Sequence, residues 1–155
     1  MASGCHVRAM RAKDLSRVVA LNQELGYAGS LDQMRSRFKK IGRRVGNGLF
    51  VAILDGSVDG WLHVQVQQSL ESEPFAEITG LVVALDARRR GLGRALVDSA
   101  ARWACDLGLP HVRVRSNIRR QEAHTFYSAL GFRLLKTQHA YERELHDSAD
   151  LSDSA

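Results

Sequence analysis

Hydrophobic positions along the chain change period several times, and each change marks an element. CHVRAM, Cys5 to Met10, fits a short strand. Leu15, Val18, Val19, Leu21 and Leu25 follow at helical spacing, with Asp14 expected to cap the helix. Gly26 and Gly29 break that pattern. Ser30 and Gln33 have capping-box spacing. The helix after them places Leu31, Met34, Phe38 and Ile41 on one stripe and Arg35, Lys39, Arg43 and Arg44 elsewhere.

The period then shortens to that of strands. LFVAIL, Leu49 to Leu54, reads as a buried strand before the Asp55-Gly56 turn. In WLHVQVQ, Leu62, Val64 and Val66 face one way, and Trp61, His63, Gln65 and Gln67 the other. A polar acidic loop, Ser69 to Pro74, precedes a strand over Ala76 to Leu85. Next come a loop and a helix running to Leu107, closed by Gly108 and Pro110. HVRVRSN predicts a strand, Arg120 to Leu130 a helix, and FRLLKTQ and HAYEREL two final strands. Residues 147–155 read as a polar, disordered tail. The order β-α-α-β-β-β-α-β-α-β-β predicts a single α/β domain over residues 1–146. Its mixed sheet would have about seven strands flanked by four helices.

Composition narrows the chemistry. The chain has 155 residues, of which 45% are hydrophobic, enough for one ordinary core and too many for a disordered chain. A formal net charge of +5 favours an anionic ligand. Cys5 and Cys105 lack metal-site spacing, so no metal is expected, and a reducing compartment fits them. Cys105 is expected in the core. No apolar run is long enough to span a membrane, and the N-terminus lacks a signal-peptide segment, which points to a cytoplasmic protein without membrane partners. The basic run Arg35 to Arg44 contains a single aromatic residue, Phe38, so nucleic-acid stacking is not expected.

The segment DARRRGLGRA, Asp86 to Ala95, concentrates positive charge and glycine where a helix begins. The first turn of a helix offers free N–H groups and the positive end of its dipole. Glycine lets an anion approach the backbone, which is the recipe for a phosphate cradle. A Walker A loop is excluded because Gly93 precedes Arg94 and Ala95, not Lys and Ser/Thr. The dinucleotide fingerprint fails because Leu96 stands where it needs its third glycine, and the following strand ends in Ser116-Asn117, not in an acid.

A third pattern, Arg/Gln-x-x-Gly-x-Gly/Ala, is matched by Arg88-Arg89-Arg90-Gly91-Leu92-Gly93. With ITGLVV (Ile78 to Val83) upstream, and Asn117 and AHTFYSALGF (Ala123 to Phe132) downstream, the chain resembles the GNAT superfamily of acyl-CoA-dependent N-acetyltransferases over nearly its whole length. The resemblance implies a sheet splayed between its fourth and fifth strands. It also implies that acetyl-CoA is bound through Arg88, Arg89, Arg90, Gly91, Leu92, Gly93, Arg94 and Ala95 at the pyrophosphate. The pantetheine arm would then run along Leu81, Val82 and Val83, with Asn117 beside it.

The implied reaction is direct attack by an amine in a ternary complex. It calls for an oxyanion donor, expected at a backbone N–H near Val82, and a proton for the leaving thiolate. Tyr127, in the block Phe126-Tyr127-x-x-x-Gly131-Phe132, is the candidate acid. Glu77 is the candidate base, or an electrostatic attractor in a wet strand start sharing a face with Thr79 and Leu81. His63, His124 and a water chain remain alternatives. The expected acceptor is a small-molecule amine, with a protein or peptide amine, or a non-catalytic acetyl-CoA-binding module, as alternatives. Homodimer formation is left open.

Overall fold

The computed structural model describes residues 4–115 and 121–146. The chain divides into two compact units, Met1–Arg119 and Arg120–Ala155. The first contains strands β1 (Cys5–Ala9), β2 (Asn47–Leu54), β3 (Ser57–Gln67), β4 (Phe75–Val83) and β5 (Val112–Val114). It also contains helices α1 (Leu15–Glu24), α2 (Leu31–Gly42) and α3 (Leu92–Asp106). The sheet order is β1-β2-β3-β4-β5, antiparallel except for the parallel β4–β5 pair.

Alternation along β3 assigns the two faces. Gly60 approaches Leu96 of α3, while Leu62 and Val64 are fully buried. Trp61 points the other way, into a cluster with Val18 of α1, Met34 of α2, Val51 and Ile53. The α2 stripe of Leu31, Met34, Phe38 and Ile41 is half-buried, as its period predicts. Ser30 and Gln33 form the capping box: the Ser30 hydroxyl accepts from Gln33 N–H at 3.2 Å, and Gln33 Oε1 accepts from Ser30 N–H at 3.1 Å. Asp14 differs from expectation. Its buried carboxylate accepts from Arg11 N–H behind it at 2.8 Å and from both Arg8 terminal nitrogens, at 2.7 and 2.8 Å. The paired guanidinium holds the Asp14 carboxyl below its usual range.

The second unit contains α4 (Gln121–Ala129), followed by a turn at Gly131. FRLLKTQ and HAYEREL do not form the two expected final strands, so the sheet has five strands and not about seven. Alternation makes a strand only where a neighbour accepts its backbone hydrogen bonds. Residues 133–146 have no such ladder among the described residues, and Leu134, Tyr141 and Leu145 are exposed. The tail expected at 147–155 lies outside the described residues.

Candidate active site

The pairing of β4 sets the geometry. Ala84 donates its N–H to Asp59 O at 2.8 Å, in register with the pairs Gly60–Val83, Trp61–Val82 and His63–Gly80. Hydrogen bonds to one neighbour alternate along an antiparallel strand. Val82 therefore directs its N–H and C=O to β3, and Leu81 and Val83 direct theirs away from it. On that outer side β5 pairs with β4 only from Ala76 to Ile78. Among the described residues nothing pairs with β4 from Thr79 to Val83 on this side. The outward N–H groups nearest Val82 are those of Leu81 and Val83.

Beyond Val83 the chain enters the arginine-glycine segment. Glu24 of α1 accepts from Leu85 N–H at 3.0 Å, which ties the turn to the end of that helix. Arg88 is extended, while Arg89 at φ +63° and Gly91 at φ +82° are left-handed. For arginine that conformation stores about 1–3 kcal/mol of strain, and such strain persists where surrounding structure or function requires it. Gly91 caps α3 without a side-chain bond, and the first turn holds no acidic residue. No described residue accepts from the N–H of Leu92, Gly93 or Arg94. Arg88, Arg89, Arg90 and Arg94 are exposed around these donors, and Ala95 packs into the core behind them. The open edge of Leu81 and Val83 thus runs into a positively charged helix N-terminus.

Glu77 lies on the face of the sheet covered by α1 and α2, opposite Gln65. It is neither wet nor at the strand start. It is the third residue of β4, and its side chain is 8% exposed. Its Oε1 forms an ion pair with Arg115 Nε at 2.9 Å, and the Arg115 side chain is 82% exposed. The expectation that Glu77 shares a face with Thr79 and Leu81 is corrected by a bulge. The register slips between His63 and Val64, leaving Thr79 as the extra residue. Gly80 and Val82 then join Glu77 on the α1/α2 side, and Leu81 turns to the α3 side opposite Leu62. In the acidic loop upstream Glu71 and Glu73 are exposed, whereas Glu77 is buried.

His63 stands on the same face as Glu77, half-buried, with Nε2 2.8 Å from Asn47 Oδ1. Burial lowers its pKa, favouring neutral imidazole. Tyr127 is on α4 in the second unit, edge-on to Phe126 and Phe132 at centroid distances of 5.1 and 5.5 Å. His124 is on the same helix. Asn117 lies outside the described residues. Cys105 is exposed and Cys5 buried, reversing the expectation that Cys105 packs in the core. Among the described residues no group of three metal-ligating side chains occurs, and no helix is long and apolar enough to cross a membrane. A groove lined in part by Val45, Val66 and Leu109 sits by the C-terminal end of α3, the opposite end from the arginine-glycine segment.

Comparison with known proteins places this geometry. The model of the acetyltransferase (GNAT) family matches residues 15–132. The chain belongs to the GNAT family. It is 39% identical over 56 residues to YhdJ of Bacillus subtilis (strain 168), an uncharacterized N-acetyltransferase, covering 36% of this chain and 39% of that protein. It is 31% identical over 97 residues to MJ1207 of Methanocaldococcus jannaschii, another uncharacterized N-acetyltransferase, covering 61% of this chain and 43% of that protein. The chain thus spans less than half the length of either relative. Its α/β GNAT fold, with a mixed sheet and four helices, matches aminoglycoside N-acetyltransferase AAC(6')-Iy in complex with the bisubstrate analogue CoA-S-monomethyl-acetylneamine. The TM-score is 0.81 at 20% identity, over 92% of this chain and 100% of that one.

The sequence did not single out Arg115, the close Trp61–Gly80 packing or the left-handed backbone at Arg89. The arginines at 113 and 115 of an alternating strand share parity with each other, which was the available signal for a cation beside β4.

Proposed function

We propose that this GNAT member moves an acetyl group from acetyl-CoA to the primary amine of a small molecule by direct attack, with residues 1–146 acting as one domain. The carrying observation is the continuity between the outward peptide groups of Leu81 and Val83 and the open N–H groups of α3. An extended amide-bearing arm can add to such an edge as a strand does. An arm of that kind ending in a pyrophosphate suits the helix end beyond it. The residues present fit acetyl-CoA by the chemistry of these donors. The crystallised CoA conjugate of AAC(6')-Iy supports both the donor and a small amine acceptor.

In this reading the N–H of Leu81 or Val83 supports the developing oxyanion, replacing Val82, whose N–H is committed to β3. Tyr127 supplies the proton to the departing thiolate, and its ring orientation is set by Phe126 and Phe132. Glu77 presents a carboxylate to a cationic acceptor, either drawing it in or taking up its proton through water. The family resemblance assigns Asn117 to the arm, and in the same reading the protein works in the cytoplasm. A thiol-release assay with acetyl-CoA over a panel of aminoglycosides, polyamines and simple alkylamines tests the reading. Turnover with at least one amine is expected. Acetyl-CoA binding without turnover across amines and lysine peptides alike would leave a binding module in its place.

A further inference from the structure

Glu77 is a buried carboxylate whose ionic partner is almost fully in solvent. Its side chain is 8% exposed and that of Arg115 82% exposed, with Nε and Oε1 2.9 Å apart. Arg113, not Arg115, is the residue in direct register with Glu77 across the β4–β5 pair. The Arg113 guanidinium is occupied elsewhere, 3.9 Å from the centroid of the Phe75 ring. Arg115 reaches back from just beyond the end of β5, and Glu77 is its ionic partner among the described residues. The second carboxylate oxygen of Glu77 accepts from no described residue.

This asymmetry has a chemical meaning. A carboxylate inside the fold needs a cation or hydrogen-bond donor. A solvated arginine on its rim can leave at little cost, because exposed ion pairs are weak and water receives the guanidinium. An alkylammonium group arriving from solvent can replace it without leaving the carboxylate bare. Charge on the Glu77 side is balanced before and after the exchange.

We propose that Arg115 is an internal competitor for the acceptor: its guanidinium occupies Glu77 in the free protein and is displaced when a cationic amine binds. This rests on the reading that Glu77 faces the acceptor. Arg115 then sets a threshold, since an acceptor must offer an ammonium group that competes with a tethered arginine. Polycationic amines, with several ammonium groups per molecule, meet that threshold more readily than monoamines. The specificity of the site thus resides partly in a residue that does not touch the reacting atoms.

The test is calorimetric titration of spermidine into the wild type, Arg115→Ala, Arg115→Lys, Glu77→Gln and the Arg115→Ala/Glu77→Gln double variant, with thermal melts confirming folding. Arg115→Ala is expected to tighten spermidine binding about two- to fivefold, the range an exposed ion pair supports. Arg115→Lys keeps a tethered cation and falls nearer the wild type. Glu77→Gln weakens binding and abolishes the gain from Arg115→Ala. Unchanged or weaker binding in Arg115→Ala, with Glu77→Gln still weakened, overturns the competitor while leaving the reading of Glu77 standing. A gain that persists in the double variant also overturns it, because removal of positive charge in general would then be the cause. If Glu77→Gln binds spermidine as the wild type does, the reading of Glu77 fails and the competitor with it. Absence of thiol release in the wild type with every amine bears on the enzymatic reading alone, since the titration needs no turnover.

Discussion

The indole of Trp61 occupies the space that a side chain at Gly80 would need. A Cβ built on Gly80 falls 2.6 Å from two atoms of the Trp61 ring, on the opposite strand. The ring is also held from α1, where Asn22 Oδ1 accepts from Trp61 Nε1 at 2.9 Å. Gly80→Ala must therefore push the indole away or move β4 beside the open edge. The expected cost is about 1–3 kcal/mol, typical of overpacking. It should appear as a lower urea midpoint with an altered tryptophan emission spectrum. A midpoint equal to the wild type would show that the ring has room to yield.

Gly93→Asp separates ligand binding from folding. Gly93 is the second residue of α3, whose first turn has no acid. A carboxylate there favours the helix dipole, so the melting temperature should hold or rise. The same charge repels a pyrophosphate, and acetyl-CoA affinity should fall by about tenfold or more, as a loss of about 1.4 kcal/mol would give. Wild-type affinity by calorimetry would remove the arginine-glycine segment from the binding site.

Tyr127→Phe retains a ring between Phe126 and Phe132 and removes the phenol. If the phenol protonates the thiolate, kcat should fall by about 10²–10⁴ with little change in acetyl-CoA affinity. Single-turnover rates are the proper readout, since slow product release would mask the step. An unaltered single-turnover rate takes Tyr127 out of the chemistry.

His63 predicts a pH dependence of stability. Burial lowers its folded-state pKa below the usual value of 6.5. Between the folded and unfolded values the unfolded chain binds more protons, so stability rises with pH across that window. The contribution is fully present above pH 6.5 and is lost as pH falls toward the folded-state pKa. Urea midpoints from pH 5 to 8 should fall on the acid side more steeply for the wild type than for His63→Gln. Parallel curves would assign the acid sensitivity to other groups.

The sequence made the helices legible because each carried a stripe at the right period, and Ser30 with Gln33 marked a start that the hydrogen bonds confirm. The arginine-glycine segment was legible because its chemistry is local: glycine, charge and a helix start are consecutive in the chain. What was lost depended on pairing between distant residues. The bulge at Thr79 belongs to the register of β3 against β4, so the face of Leu81 was misread from alternation alone. Burial of Glu77 comes from the strands and helices around it, which nothing in an acidic loop upstream announces. FRLLKTQ and HAYEREL alternate as strands do, yet alternation does not supply the neighbour that a strand requires.

The open edge of β4 also bears on how the protein keeps apart from its own copies. The outward peptide groups of Leu81 and Val83, unpaired among the described residues, are a template for an extended chain, and edges of this kind invite aggregation. Arg88, Arg89 and Arg90 stand immediately beyond that edge, all exposed. Two copies meeting edge to edge would bring their arginine triplets together, and like charge opposes the contact. Salt screens this repulsion over about 10 Å at 0.1 M. Added salt is therefore expected to weaken the guard, so the arginines that suit an anionic ligand would also oppose pairing of the edge with a second copy.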